Sequence, residues 1–380
     1  MELGVPPRVP VMCQLALGHY FLHSSEDAFS IWYTSEGFAR ALVELADRYG
    51  FDGILVNLPG RDPELEKWIE RIVQEPGRRI IYFKNGGRAV LPDDDNARYI
   101  PPEGESNRVD FAAVDPEKLY YVEPWDTTGV SYPYRWGFED DPADPEDFFP
   151  PYHGLAVQAA LRRAGNRLSV HGEVFSPFSQ FIELLGIKQG LLALVDDPGK
   201  TKACLERLTE GAIDLALRHA AAGVCAVLIS SAYAGGGFIS RDHYRAFVQP
   251  YEKKLIEEIK KKHRIPVYTH TCGAIGDRLD LMLQTGTDGI DTLDPPPLGN
   301  VDLASAKELL RGKAFIKGNI DPVNTLLRGT VETVRSDALR RLETAAPGGG
   351  YILSSACSVP PHTPPENIAC LREAAELFGK

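Results

Sequence analysis

Short apolar runs rich in β-branched residues alternate along this chain with longer stretches whose apolar positions recur every three to four residues. The first pattern predicts buried strands and the second predicts amphipathic helices. Eight strand-like runs are found, at residues 9–17, 51–58, 168–174, 226–231, 266–272, 289–293, 314–318 and 351–356. Helical periodicity covers 36–49, 241–262, 274–283, 303–310, 331–343 and 365–378, among others. Strands that alternate with helices specify a parallel sheet covered by helices, because each parallel crossover needs a helix to return the chain. Eight such repeats close a (β/α)8 TIM barrel of the α/β class, and residues 1–380 are expected to form one domain around it.

The alternation breaks once, between the second and third strands, where residues 62–160 read as an insertion. Within it, 79–83 and 88–91 predict a β-hairpin around Lys84-Asn85-Gly86-Gly87, with Asn-Gly supplying the positive φ angles of a primed turn. Residues 64–74 are expected to be helical, and the acidic, aromatic stretch 120–152 is expected to be extended. An insertion after a barrel strand leaves at the C-terminal face, where barrel enzymes hold their sites, so this segment is expected to act as a lid. Its rings at Trp125, Tyr132, Tyr134 and Trp136 suit an aromatic or cationic substrate.

Composition narrows the function classes. A chain of 380 residues with 43% hydrophobic and 25% charged residues supports one large core and needs no fibrous or disordered class. The net charge of −12 argues against nucleic-acid and anionic-membrane partners. The one basic run, Lys260-Lys261-Lys262-His263-Arg264, sits where it would close a helix and complement its dipole. No stretch has the length of an apolar membrane span, and the opening residues MELGVPPRVP lack the core of a signal peptide, so a cytoplasmic protein is expected. Its six cysteines are then expected to be thiols. Cys13, Cys204, Cys225 and Cys370 lie in apolar runs and read as small buried hydrophobes.

Cys272 and Cys357 read differently. In Tyr268-Thr269-His270-Thr271-Cys272-Gly273 a strand ends just before a helix, and residues two apart on a strand share a face, so His270 and Cys272 can both enter the barrel mouth. Cys357 ends the last strand and opens onto the same face. One imidazole and two thiolates make a three-ligand zinc set that leaves a coordination position open, the arrangement of catalytic zinc. Glu173, at the end of the third strand, is a candidate fourth ligand or general acid. Asn319 and Asp321, ending the seventh strand, are candidates for substrate contact, with a turn-capping role for Asp321 as the alternative. Tyr20, with His19 and His23, follows the first strand and is a candidate for substrate contact, with solvent exposure as the alternative. Tyr233, a candidate for substrate contact, lies in the glycine-rich Ser230-Ser231-Ala232-Tyr233-Ala234-Gly235-Gly236-Gly237 loop, whose glycines permit close approach to a ligand or simple flexibility and which has no phosphate-loop pattern.

These blocks, together with Phe51-Asp52-Gly53-Ile54, Thr285-Gly286-Thr287-Asp288-Gly289, Lys317-Gly318-Asn319-Ile320-Asp321-Pro322 and Ser355-Ala356-Cys357-Ser358-Val359-Pro360-Pro361-His362-Thr363-Pro364-Pro365-Glu366-Asn367, resemble the uroporphyrinogen decarboxylase superfamily over the C-terminal half of the chain. The decarboxylase branch is similar in an arginine-rich loop after the first strand and an aspartate ending the second. Here Gly18-His19-Tyr20-Phe21-Leu22-His23-Ser24-Ser25-Glu26-Asp27 contains no arginine, and the second strand ends in Asn57-Leu58. The zinc-dependent corrinoid methyltransferase branch is similar in His-x-Cys at the fifth strand and a cysteine at the eighth. That resemblance implies zinc on His270, Cys272 and Cys357 and methyl transfer between a corrinoid (cobalamin) and a small substrate such as a methylated amine, methyl ether or thiol. Where that branch has Gly-Cys in its last block, this chain has Ala356-Cys357. The chain contains no Asp-x-His-x-x-Gly, the motif that presents a cobalamin's lower ligand, so the corrinoid is expected free or on a partner protein. A homodimer is also admitted. A cofactor-independent decarboxylase is the alternative, and a catalytically silent binding barrel is the third reading.

Overall fold

The computed structural model describes residues 1, 3–106, 108–123 and 148–379. The four aromatic residues expected in the lid, Trp125, Tyr132, Tyr134 and Trp136, lie outside the described residues. Seven parallel strands form one curled sheet, ordered β1 (Gly53–Val56), β6 (Ser169–Phe175), β7 (Ala226–Ser230), β8 (Val267–His270), β9 (Gly289–Thr292), β10 (Phe315–Ile320) and β11 (Tyr351–Ser355). Consecutive barrel strands are neighbours throughout, as a barrel wound in one direction requires. The α/β barrel architecture is therefore as expected.

The expected first strand is not a continuous strand. Residues 9–17 pair only through isolated bridges, Val11 with Leu353 and Leu15 with Val359. The Val11 carbonyl also accepts from Asp52 N at 2.8 Å, so this segment links the two edges of the sheet and closes the ring. Pro10 has no N–H to donate to a ladder, which helps to keep the segment irregular. Between the two bridges the Gln14 carbonyl accepts from Val359 N at 2.8 Å, and four steps from Val11 to Leu15 oppose six from Leu353 to Val359. The two surplus residues fall between Leu353 and Val359, the stretch that contains Cys357.

The insertion contains a second sheet, antiparallel and ordered β2 (Ile69–Glu75), β3 (Arg78–Phe83), β4 (Arg88–Pro92), β5 (Arg98–Ile100). The expected hairpin is β3–β4. Its turn differs in detail: among residues 84–87 only Gly86 has a positive φ, +88°, and Phe83 pairs across a three-residue loop with Gly87. The expectation of a helix over 64–74 is overturned, since only one 3-10 turn, Leu65–Trp68, precedes β2. The β-branched Ile69, Ile72 and Val73 favour strand, and Pro76-Gly77, with Gly77 at φ +76°, turns the chain back so that Glu75 pairs with Arg78.

Other helical expectations hold with shifted bounds. The 241–262 stretch divides into Arg241–Phe247 and Gln249–Lys262, because Pro250 begins a new helix instead of extending the old one. Its last turn carries Lys260, Lys261 and Lys262, where cations oppose the dipole's negative end. The 274–283 helix shortens to Leu279–Leu283, since residues 274–278 form a loop. Cys225 is exposed, against the expectation of burial, because it lies just before β7 begins at the barrel's rim; Cys13, Cys204 and Cys370 are buried as expected. Among the described residues no single helix is long and apolar enough to cross a membrane.

The barrel interior is layered. Met12, Leu55, Ala226, Leu228, Tyr268, Phe315 and Ile352 form an apolar plug inside the ring, separate from the larger core between strands and helices. Gly289 is required there: a Cβ at this position would meet the Phe315 ring at 2.3–2.5 Å. Charged side chains lie at the next inward-facing position, two residues further along the same strands, His270 after Tyr268 and Lys317 after Phe315.

Candidate metal centre

Register places the site. In the parallel ladder Ser230 lies opposite His270, His270 opposite Asp291, and Asp291 opposite Lys317. Four adjacent strands thus carry one transverse row of polar residues, on the same strands as the apolar plug. Cys272 follows His270 by two residues, as the strand period demands for a shared face. The peptide after it turns at Gly273, φ +79°, whose N–H is held by the Asp294 carboxylate at 2.6 Å.

His270 Nε2 stands 3.3 Å from Cys272 Sγ, and Cys272 Sγ stands 3.6 Å from Cys357 Sγ. The ligand atoms of these three residues all lie within 4.8 Å of one another. Two sulfurs bound at about 2.3 Å to a tetrahedral ion stand about 3.8 Å apart, so the pair has the spacing of a shared ion and is far beyond a disulfide's S–S bond of about 2.05 Å. The donor set, two thiols and one imidazole, is that of a soft-to-borderline metal such as zinc. The residues present therefore fit the ion that the sequence implied.

Protonation follows from this crowding. Donation from Cys272 and from His270 holds the Cys357 thiol well below the ordinary range, while the same hydrogen bond together with burial pushes Cys272 up. Burial alone lowers the His270 imidazole, but hydrogen bonds to Asp291 and Cys357 outweigh it and raise His270 to about 10. Asp291 is buried, which raises a carboxyl, yet Lys317 and His270 hold it below its usual value. A metal that binds here displaces protons from these groups, so its affinity increases with pH.

The other expected site residues are placed as follows. Glu173 lies on β6, half-buried, outside the three-residue ligand group; burial pushes its carboxyl up to about 7 against the opposing influence of His270 and a hydrogen bond with Ser230. Asn319 is fully buried, its amide donating to the Leu293 carbonyl at 2.8 Å and its oxygen accepting from Arg341. Asp321 caps the following turn, accepting from Val323 N and Asn324 N at 2.8 Å each. Tyr20, a candidate for substrate contact, is packed in the core, edge-on to Phe38, on a helix Leu17–His23. His19 is buried there too, bridging the Pro361 carbonyl and the Tyr49 hydroxyl. Tyr233 donates to Glu183 and stacks edge-on against Phe238. The loop that holds Tyr233 is pinned to the Cys272 loop by Gly236 N donating to the Ala274 carbonyl and by the buried Arg278, which donates to the Ala234 and Ile239 carbonyls.

Sequence reasoning gave Asp291 and Lys317 no role. The available signal was an ionisable residue within each of two fully buried strand runs, at a position that alternation turns inward.

Known proteins give the comparison. Over 173 residues the chain is 31% identical to a uroporphyrinogen decarboxylase of Legionella pneumophila, covering 45% of this chain and 46% of that protein. Over 223 residues it is 25% identical to the methylcobamide:CoM methyltransferase MtaA of Methanosarcina barkeri, covering 59% and 62%. The chain spans about half the length of the curated relatives it matches. Its fold superposes on a methyltransferase from Methanosarcina mazei with a TM-score of 0.68 at 18% identity, covering 98% of this chain and 94% of that one. The family profile described as uroporphyrinogen decarboxylase (URO-D) matches residues 139–378, well over half of the sequence, and the chain belongs to that family.

Proposed function

We propose that this protein is a zinc-dependent methyltransferase that moves a methyl group between a small substrate (a methylated amine, methyl ether or thiol) and a corrinoid. The observation that carries this reading is the convergence of His270, Cys272 and Cys357 from two distant strand ends onto one point. Zinc held there would supply Lewis acidity, lowering the pKa of a bound thiol or polarising the heteroatom that parts from a methyl group. His270, Cys272 and Cys357 would hold that ion and leave it open to the substrate. Glu173, with a carboxyl pushed up to about 7, is suited to hold or deliver the proton that the heteroatom exchanges. Asp294 fixes the Cys272 turn through Gly273 N. The corrinoid is taken to arrive free or on a partner protein, since the sequence has no motif for its lower ligand.

The relatives named decarboxylases make cofactor-independent decarboxylation the reading to separate. Asn57 and the arginine-free Gly18–Asp27 stretch weigh against it. Metal analysis of the purified protein, followed by a panel of methyl donors with reduced cobalamin and of thiol acceptors with methylcobalamin, tests the proposal. About one zinc per chain and methyl transfer with one panel member are expected. Turnover of a porphyrinogen by metal-free protein would overturn it.

A further inference from the structure

Inside the barrel, beside the proposed ligands, lies an ion pair that the methyltransfer chemistry does not use. Lys317 Nζ reaches both oxygens of Asp291, at 3.0 and 3.1 Å, and each residue is no more than 2% exposed. A buried pair of this kind gives little net stability, because desolvation of the two charges cancels most of their attraction, and an apolar pair of equal volume commonly does as well or better. Its place in a barrel otherwise plugged with Phe315, Tyr268 and Leu228 therefore calls for another reason.

The geometry supplies one. Asp291 Oδ2 accepts from His270 Nδ1 at 2.9 Å, and Oδ1 accepts from Thr292 N at 2.9 Å. Thr292 takes a φ of +79°, a region costly for a β-branched residue, and its hydroxyl is tied to the Thr271 carbonyl at 2.5 Å. The carboxylate is thus gripped at both oxygens by Lys317 and at Oδ1 also by a strained backbone N–H. With Nδ1 so engaged, the imidazole cannot flip, and Nε2 is left facing Cys272 Sγ at 3.3 Å.

We propose that Asp291, gripped by Lys317 and Thr292 N, is a positioning residue that fixes the ring of His270 so that Nε2 is presented to the metal shared with Cys272 and Cys357. The inference rests on the zinc reading above and adds two residues that act through a ligand without touching the ion. Partners of this kind typically change metal affinity by about 10- to 100-fold.

The test is zinc affinity, measured by competition with a chromophoric chelator on the full chain, together with the absorption spectrum of the cobalt(II)-substituted protein. Asp291→Ala is expected to weaken zinc binding about 10- to 100-fold and to alter the cobalt ligand-field bands. Asp291→Asn, whose amide oxygen can still accept from Nδ1, should recover part of the loss, and Lys317→Met should weaken binding less than Asp291→Ala. A purely structural role would lower the melting temperature and leave affinity and spectrum unchanged. Affinity within twofold of the parent in Asp291→Ala, or in Asp291→Asn and Lys317→Met together should the alanine variant not fold, overturns the inference. A parent protein that takes up no zinc overturns the zinc reading itself, so the two failures are distinguishable.

Discussion

The plug and the polar row occupy successive inward-facing positions on the same strands, yet they obey opposite rules. Around Phe315, Tyr268, Leu228 and Ile352 the barrel is filled with apolar atoms, and Gly289 is bare so that the Phe315 ring can fit. At the next inward-facing position, His270, Asp291 and Lys317 bring charge into equally deep burial, and each polar atom of the row is met by another. The plug can tolerate loss of a side chain's chemistry but not of its volume. The row can tolerate changes in volume but not the loss of a partner, because an unpaired buried charge is costly. Stability and chemistry are thus separated along each strand.

The largest expected effect is at the rim. Cys272→Ala and Cys357→Ala should each lower methyl transfer by orders of magnitude, and the double variant should be little worse than either, since ligands of one ion act as a unit. Circular dichroism of all three should match the parent, because the plug is untouched. Strict additivity of the two losses would break the comparison by showing that the sulfurs act separately.

Next is Glu173. Its carboxyl is protonated below about 7, so activity that needs its proton should fall as pH rises through that value. Glu173→Gln should lower kcat by about 10²–10⁴-fold and flatten that limb of the pH profile, with zinc content unchanged. Loss of zinc in this variant would instead make Glu173 a ligand.

In the plug, Phe315→Ala should destabilise the protein by about 3–5 kcal/mol, read by chemical denaturation, while the remaining folded protein binds zinc as tightly as the parent. Coupled loss of zinc affinity would mean that plug and row are not separable.

The smallest effect sharpens the rule for buried carboxylates. Glu252 is 1% exposed, like Asp291, but among the described residues it accepts from the Ser231 and Tyr244 hydroxyls and from no cation, and burial pushes it up to about 7. Because the folded-state value lies above the unfolded one, the stability that Glu252 contributes is full below about 4.5 and is lost as pH rises through 7. Glu252→Gln should therefore raise stability above pH 7, by up to about 3 kcal/mol, and have little effect at pH 4. Equal shifts in melting temperature at both pH values would show that no proton is involved.

Much of this was legible beforehand, because strand and helix periods are local. Seven of the eight expected barrel strands stand where alternation placed them, and the His270-Thr271-Cys272 spacing carried its own geometry, since a period of two is a property of any strand. The helix expected over 64–74 failed because its strand is decided by a partner, β3, which periodicity within the segment does not contain. The burial of Tyr20 and His19 was not legible in this way either, since it depends on packing against Phe38 and Tyr49, which are distant in sequence.

What the sequence determined by itself was the class of fold and the identity of the three candidate ligands, because both rest on local spacing and residue chemistry. Tertiary structure alone decided the rest. The unequal spacing of the stretch that contains Cys357 is set by its bridges with residues 11 and 15, and Asp291 meets His270 and Lys317 through the register of three strands. Register is a relation between segments distant in sequence, and no single segment encodes it.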